Sequence, residues 1–84
     1  MEKDIKAIIV MLATQAMINL GEIQDPMSGE LNDNLPGAET FMDLLAVVEE
    51  KTRGNLTAEE EKFLFEVKAN LAKVYKKKVN LNTG

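Results

Sequence analysis

With 84 residues the chain has room for one domain, whose folding is expected to hide about two thirds of the unfolded chain's surface. It has no cysteine and no histidine, which excludes disulfides, thiolate zinc sites and the commonest general base near neutral pH. Self-association is then the remaining way to supplement a thin core, and the net charge of −4 offers no basic face for a nucleic-acid duplex.

The first predicted element is a helix over residues 3–20, stopped by Gly21. It holds the longest apolar run, Ala7 to Ala13, which is seven residues and far short of the ~20 that span a bilayer. The preceding MEKDIK balances two acids against two lysines and no A-x-A site follows, so a cytoplasmic location is expected rather than export. Projected at ~100° per residue, this helix shows two apolar stripes. Ile5, Ile9, Leu12, Ala16 and Leu20 form one; Ala7, Met11, Thr14 and Ile18 form another on nearly the opposite side. Both have the four-then-three spacing of a coiled-coil seam. Three helices can cover only one stripe, so the second is expected to be an oligomer interface, with a dimer favoured, unless it is simply solvated. Thr14, Gln15 and Asn19 either face water or fix the register of a helix pair by hydrogen bonds.

Residues 21–35 make a long connection in which Asp25, Pro26 and Gly29 are strong turn formers. Asp25, Pro26, Ser28, Gly29 and Glu30 are either part of an ordered connector or a recognition loop for a protein partner. A second helix is predicted over 36–52, with Pro36 in its first turn and Gly54 just past its end. Its expected buried face is Ala38, Phe41, Leu44, Leu45 and Val48.

A third helix is predicted over 57–78. Thr57 and Glu60 have the spacing of a capping box, and Lys76, Lys77 and Lys78 suit a helix C-terminus. Phe63, Leu64, Val67, Leu71, Val74 and Tyr75 share a face; Phe65, Ala69 and Ala72 lie off it. The short link, 53–57, predicts an antiparallel hairpin of the second and third helices, packed on the first, and residues 80–84 read as a frayed tail. The fold class is therefore all-α, with Phe41, Leu44, Leu45, Val48, Phe63, Val67, Leu71 and Leu12 among the most buried residues.

The strings LATQAMINLG (residues 12–21), DPMSGE (25–30) and EKTRGNLTAEEEKFL (50–64) resemble a bacterial family known only as domain of unknown function 1844. The family pattern is an L-A-T-Q-A helix ending in L-G, a P-x-T-G-E turn and a K-T-x-G-N-L-T-x-E-E link. Ser28 stands where threonine is usual, which keeps the hydroxyl. The resemblance implies a small helical bacterial protein with no assigned activity.

Nothing in the sequence points to catalysis: it holds no Ser/His pairing, no nucleophilic cysteine and no Gly-rich phosphate loop. No cofactor is expected. Glu49, Glu50, Glu59, Glu60 and Glu61 crowd the link after the second helix, but without the spacing of a calcium loop, and the first-turn glutamates suit the helix dipole; no metal is expected. Met11, Met17 and Met42 read as core fillers. The leading expectation is a non-enzymatic, homo-oligomeric protein-interaction module with no membrane partner. The alternative is a small nucleic-acid- or ribosome-associated factor using the lysine cluster of the third helix.

Overall fold

Asp4 starts the first helix, α1 (Ile5–Asn19), by accepting the Lys6 amide at 2.9 Å. The computed structural model describes residues 4–83, so the expected start of this helix at Lys3 lies outside the described residues. α1 ends at Leu20 in a Schellman turn: the Gly21 amide bonds the Ile18 carbonyl at 3.1 Å and the Glu22 amide bonds the Met17 carbonyl at 3.0 Å. Gly21 sits at φ +81°, and a Cβ there would lie 2.5 Å from the Asn32 carbonyl oxygen. Only glycine satisfies both conditions.

Asn34 caps the second helix, α2 (Leu35–Lys51), by accepting the Gly37 amide at 3.0 Å, and Pro36 occupies the first turn where its missing N–H costs nothing. The third, α3 (Ala58–Thr83), opens on a reciprocal capping box. The Thr57 amide donates to Glu60 Oε1 at 2.8 Å and the Glu60 amide donates to Thr57 Oγ1 at 3.1 Å, as the T-x-x-E spacing predicts. α3 continues to Thr83, so the expected frayed tail is helical except for Gly84, which lies outside the described residues. Lys76, Lys77 and Lys78 consequently sit inside the helix rather than at its negative end.

Cross-helix bonds fix the directions. Lys6 pairs with Glu59 at 2.8 Å and Lys78 with Glu22 at 3.4 Å, so α1 and α3 run parallel. Asn19 meets Asn34, and Glu49 pairs with Lys68 at 2.5 Å, so α2 runs antiparallel to both. The result is an up-down-up three-helix arrangement in which α1 packs on both other helices and most extensively on α2.

Ile9, Leu12, Ala16 and Leu20 of α1 meet Ala38 and Leu45 of α2 and Leu64 and Leu71 of α3 in the core. Ala16 and Ala38 are fully buried, and their small size lets the two helices approach closely. Phe41, Val48, Phe63 and Val67 line the core without being sealed by it. Leu44 departs from expectation: 41% of it is exposed, whereas Leu45 beside it is 1% exposed. The buried face of α2 is turned toward Met42 and Glu49 because α3 lies on that side, through the Glu49–Lys68 pair.

The bundle is slender. Its extents are 40 × 28 × 17 Å, the long one set by α3, whose 26 residues span about 39 Å. The radius of gyration is 13.5 Å, against about 12 Å for a typical domain of this length. The surface of 5921 Å² is roughly 44% of an unfolded chain of 9.3 kDa. Folding therefore hides about 56% of the surface, less than the expected two thirds.

Candidate interaction surfaces

The outer stripe expected on α1 does not hold together. Met11 is 57% exposed and Ala7 and Thr14 are half-buried, but Ile18 is buried, at 6%. A bare helix projection leaves out the chain that folds back at this end of α1, where the Glu22 and Gly21 amides bond Met17 and Ile18 and Asn32 closes on Gly21. The projection also missed exposed apolar residues elsewhere on the bundle. Ile8 and Val10 of α1, Leu44 and Val47 of α2, and Phe65 of α3 all reach solvent.

Asn19 has the cross-helix role considered for it, within one chain. Its side-chain amide donates to the Gln15 carbonyl at 2.8 Å, and its Oδ1 accepts from Asn34 Nδ2 at 3.2 Å. The Asn34 amide in turn donates to the Asn19 carbonyl at 2.9 Å. A Cβ on Gly37 would lie 2.7 Å from Asn19 Oδ1 and 2.6 Å from Asn34 Nδ2, so a larger residue there would push this asparagine pair aside. Gln15 stays on the surface.

The connection between α1 and α2 is braced by Asp25. Its carboxylate accepts the Met27 amide at 2.8 Å and Asn32 Nδ2 at 3.2 Å, while the Gly29 amide donates to its carbonyl at 2.7 Å. The Asp25 amide closes the loop onto the Glu30 carbonyl at 2.8 Å, and Ser28 Oγ accepts the Glu30 amide at 3.2 Å. The Met27 amide, helped by Asn32 and the Ser28 amide, holds the Asp25 carboxyl below the usual carboxylate range. Pro26, Ser28, Gly29 and Glu30 are exposed, and Met27 at the tip is 93% exposed. The loop thus presents an apolar side chain on an internally bonded backbone, a feature that turn chemistry alone does not reveal.

The acidic cluster does not converge. Glu49 pairs with Lys68, Glu59 with Lys6, and Glu60 completes the capping box. The Glu59 contact raises the Lys6 pKa. Among the described residues no three carboxylates gather where a metal ion would sit. In the lysine run Lys78 is held by Glu22, and the Tyr75 hydroxyl donates to Glu39, a contact that pushes the phenol's pKa up. Nothing in the sequence spacing flagged that pair.

An open groove of about 520 Å³ lies at the turn between α2 and α3, lined by Glu49, Arg53, Leu56, Lys62 and Phe65 among others. Its charges are mixed in sign, and Phe65, 72% exposed, forms one wall. No described helix is long and apolar enough to cross a membrane.

The architecture defines a small all-α domain of three helices. Residues 2–76 match the family model described as a domain of unknown function, DUF1844, and the chain belongs to that family. No curated protein and no solved structure matches the chain.

Proposed function

We propose that the chain works by binding rather than by chemistry, as a non-enzymatic, homo-oligomeric protein-interaction module of the cytoplasm. The observation that carries this reading is the composition of α1. From Ala7 to Asn19 it has no charged residue, yet Val10 and Met11 reach solvent. A helix without charge on its outward side is expected where another protein surface covers it. The braced loop with Met27 at its tip supplies a second point of contact for an unrelated protein.

Light scattering across one to a hundred micromolar tests the reading. The expected mass is a multiple of the 9.3 kDa chain. A mass of one chain throughout that range refutes it.

A further inference from the structure

Charge is divided along the chain in a way that the net value of −4 conceals. All 14 acidic residues stand in residues 1–66, whereas residues 67–84 carry Lys68, Lys73, Lys76, Lys77 and Lys78 and no acid. Such asymmetry is characteristic of chains that meet a polyanion. The bundle sorts these lysines into two sets. Lys68 and Lys78 turn toward the rest of the chain, held by Glu49 and Glu22. Lys73, Lys76 and Lys77 are exposed and, among the described residues, pair with no carboxylate. A helix terminus does not account for them. α3 runs on to Thr83 and its last turn holds no basic residue, while the helix dipole acts only within that turn. Lys73 stands one turn from both Lys76 and Lys77, so the three repel one another in the single chain.

The outward side of α3 continues this surface toward the other end of the helix. At ~100° per residue Lys62, Phe65, Ala69, Ala72, Lys73 and Lys76 share a sector about 100° wide. All six are exposed and the sector holds no acid; Glu66 and Lys77 stand on one margin and Glu61 on the other. Phe65, 72% exposed, is a wall of the open groove of about 520 Å³ that Arg53 and Lys62 also line. Of the two carboxylates in that groove, Glu49 is already paired with Lys68, which leaves Glu61.

We infer that this side of α3 binds a single-stranded nucleic acid, with the lysines along its phosphates and Phe65 stacked on an unpaired base. The proposal goes beyond the oligomeric reading and is independent of it. Charge complementarity sets the class of partner, because a polyanion neutralises Lys73, Lys76 and Lys77 together where a lone carboxylate would relieve one. Phe65 separates a single strand from other polyanions. A duplex keeps its bases stacked on one another, and an acidic protein surface offers carboxylates without a flat ring; neither gives Phe65 a partner. A membrane surface takes up bulky apolar side chains set among the lysines, and here only the small Ala69 and Ala72 lie between Phe65 and Lys73 in the sector. Phe65 and Lys73 are about 12 Å apart along the axis, the span of about four nucleotides of stacked strand.

The test measures binding of the full chain to a labelled oligouridylate of about 12 nucleotides by fluorescence anisotropy, between about 50 and 200 mM salt. Four phosphate contacts, from Lys62, Lys73, Lys76 and Lys77, should weaken binding about 50-fold across that range. Lys73→Gln combined with Lys76→Gln should weaken binding about 10-fold or more at the lower salt and reduce the salt effect to about 7-fold. Lys68→Gln combined with Lys78→Gln removes the same charge from the inward side and should change neither by more than about two-fold. Phe65→Leu should cost about 5-fold or more and Phe65→Trp should restore binding. Glutamine keeps helix propensity, and circular dichroism verifies the helix content of every variant. Absence of binding at the lower salt, or equal losses from the outward and inward pairs, overturns the proposal. So does displacement of the strand by oligoglutamate of equal charge, which would point to an acidic protein, or full-strength binding of a duplex with Phe65→Leu silent. None of these results alters the mass seen by light scattering, so the oligomeric reading is judged separately.

Discussion

Two adjacent leucines on α2 offer a sharp check of how the bundle is packed. Leu45 is sealed between α1 and α3, while Leu44 looks out of the groove. Leu45→Ala removes three buried carbons and leaves a cavity whose walls are helices tied by α1–α2 and α2–α3 bonds, so collapse into it is limited. Losses at such sites are 2–5 kcal/mol, and about 3 kcal/mol is expected here. The whole domain has roughly 4–13 kcal/mol at its disposal by the usual stability per residue. Leu44→Ala opens no cavity in the single chain and forfeits only partial apolar burial, about 1 kcal/mol or less. Urea denaturation followed by circular dichroism at low micromolar concentration measures both. Equal losses at the two sites would refute the rotation of α2 toward α3 and restore the face read from its sequence. A Leu44→Ala loss that grows with protein concentration would instead locate this leucine in an interface, as linkage between folding and association requires.

Other perturbations probe single contacts. Thr57→Ala is expected to cost about 1 kcal/mol by leaving the Glu60 amide uncapped, read as a lowered denaturation midpoint. Gly21→Ala should destabilise the chain more than an ordinary glycine substitution, since it meets both a left-handed backbone and the Asn32 carbonyl, and a thermal melt reports it. Asp25→Ala should leave the helices folded but speed hydrogen exchange at the Met27 and Gly29 amides. Because the Asp25 pKa is lower in the fold than in the unfolded chain, its contribution is complete above the unfolded aspartate value of about 3.9. It is lost as pH falls through the folded value, so protection of the same amides, taken relative to their intrinsic exchange rates, should fall in the wild type there.

Much of the architecture is readable from residues alone. Gly21, Pro36 and the Thr57–Glu60 pair punctuate the chain, and each stands at the helix end its residue type suggests, whereas the Asn34 cap of α2 went unread. Such signals are local, acting within four or five residues. The faces of α2 and the outer side of α1 depend on where the third helix sits, which no local signal contains. A symmetric projection assigns Leu44 to the core because it lies within the apolar arc. Only the Glu49–Lys68 and Met42 contacts tilt that arc away from it. Ile18 fails for a related reason: fifteen residues of connection fold back over the end of α1, and their path is set by Asn32 and Asn34 meeting Gly21 and Asn19. Three lysines resemble a helix terminus, yet α3 continues past them to Thr83.

The slender shape and the exposed apolar residues have a common cause. The chain hides about 56% of its unfolded surface, below even the ~60% usual for a domain of 60 residues. It has no disulfide or histidine with which to compensate. Along the groove between α1 and α2, Ile8, Met11, Leu44 and Val47 are exposed. The acidic loop and the lysines of α3 lie at one end of the bundle, already engaged with one another through Glu22 and Lys78. The long faces of α1 and α2 and the braced loop, with Met27 93% exposed at its tip, are separate exposed apolar surfaces of the bundle.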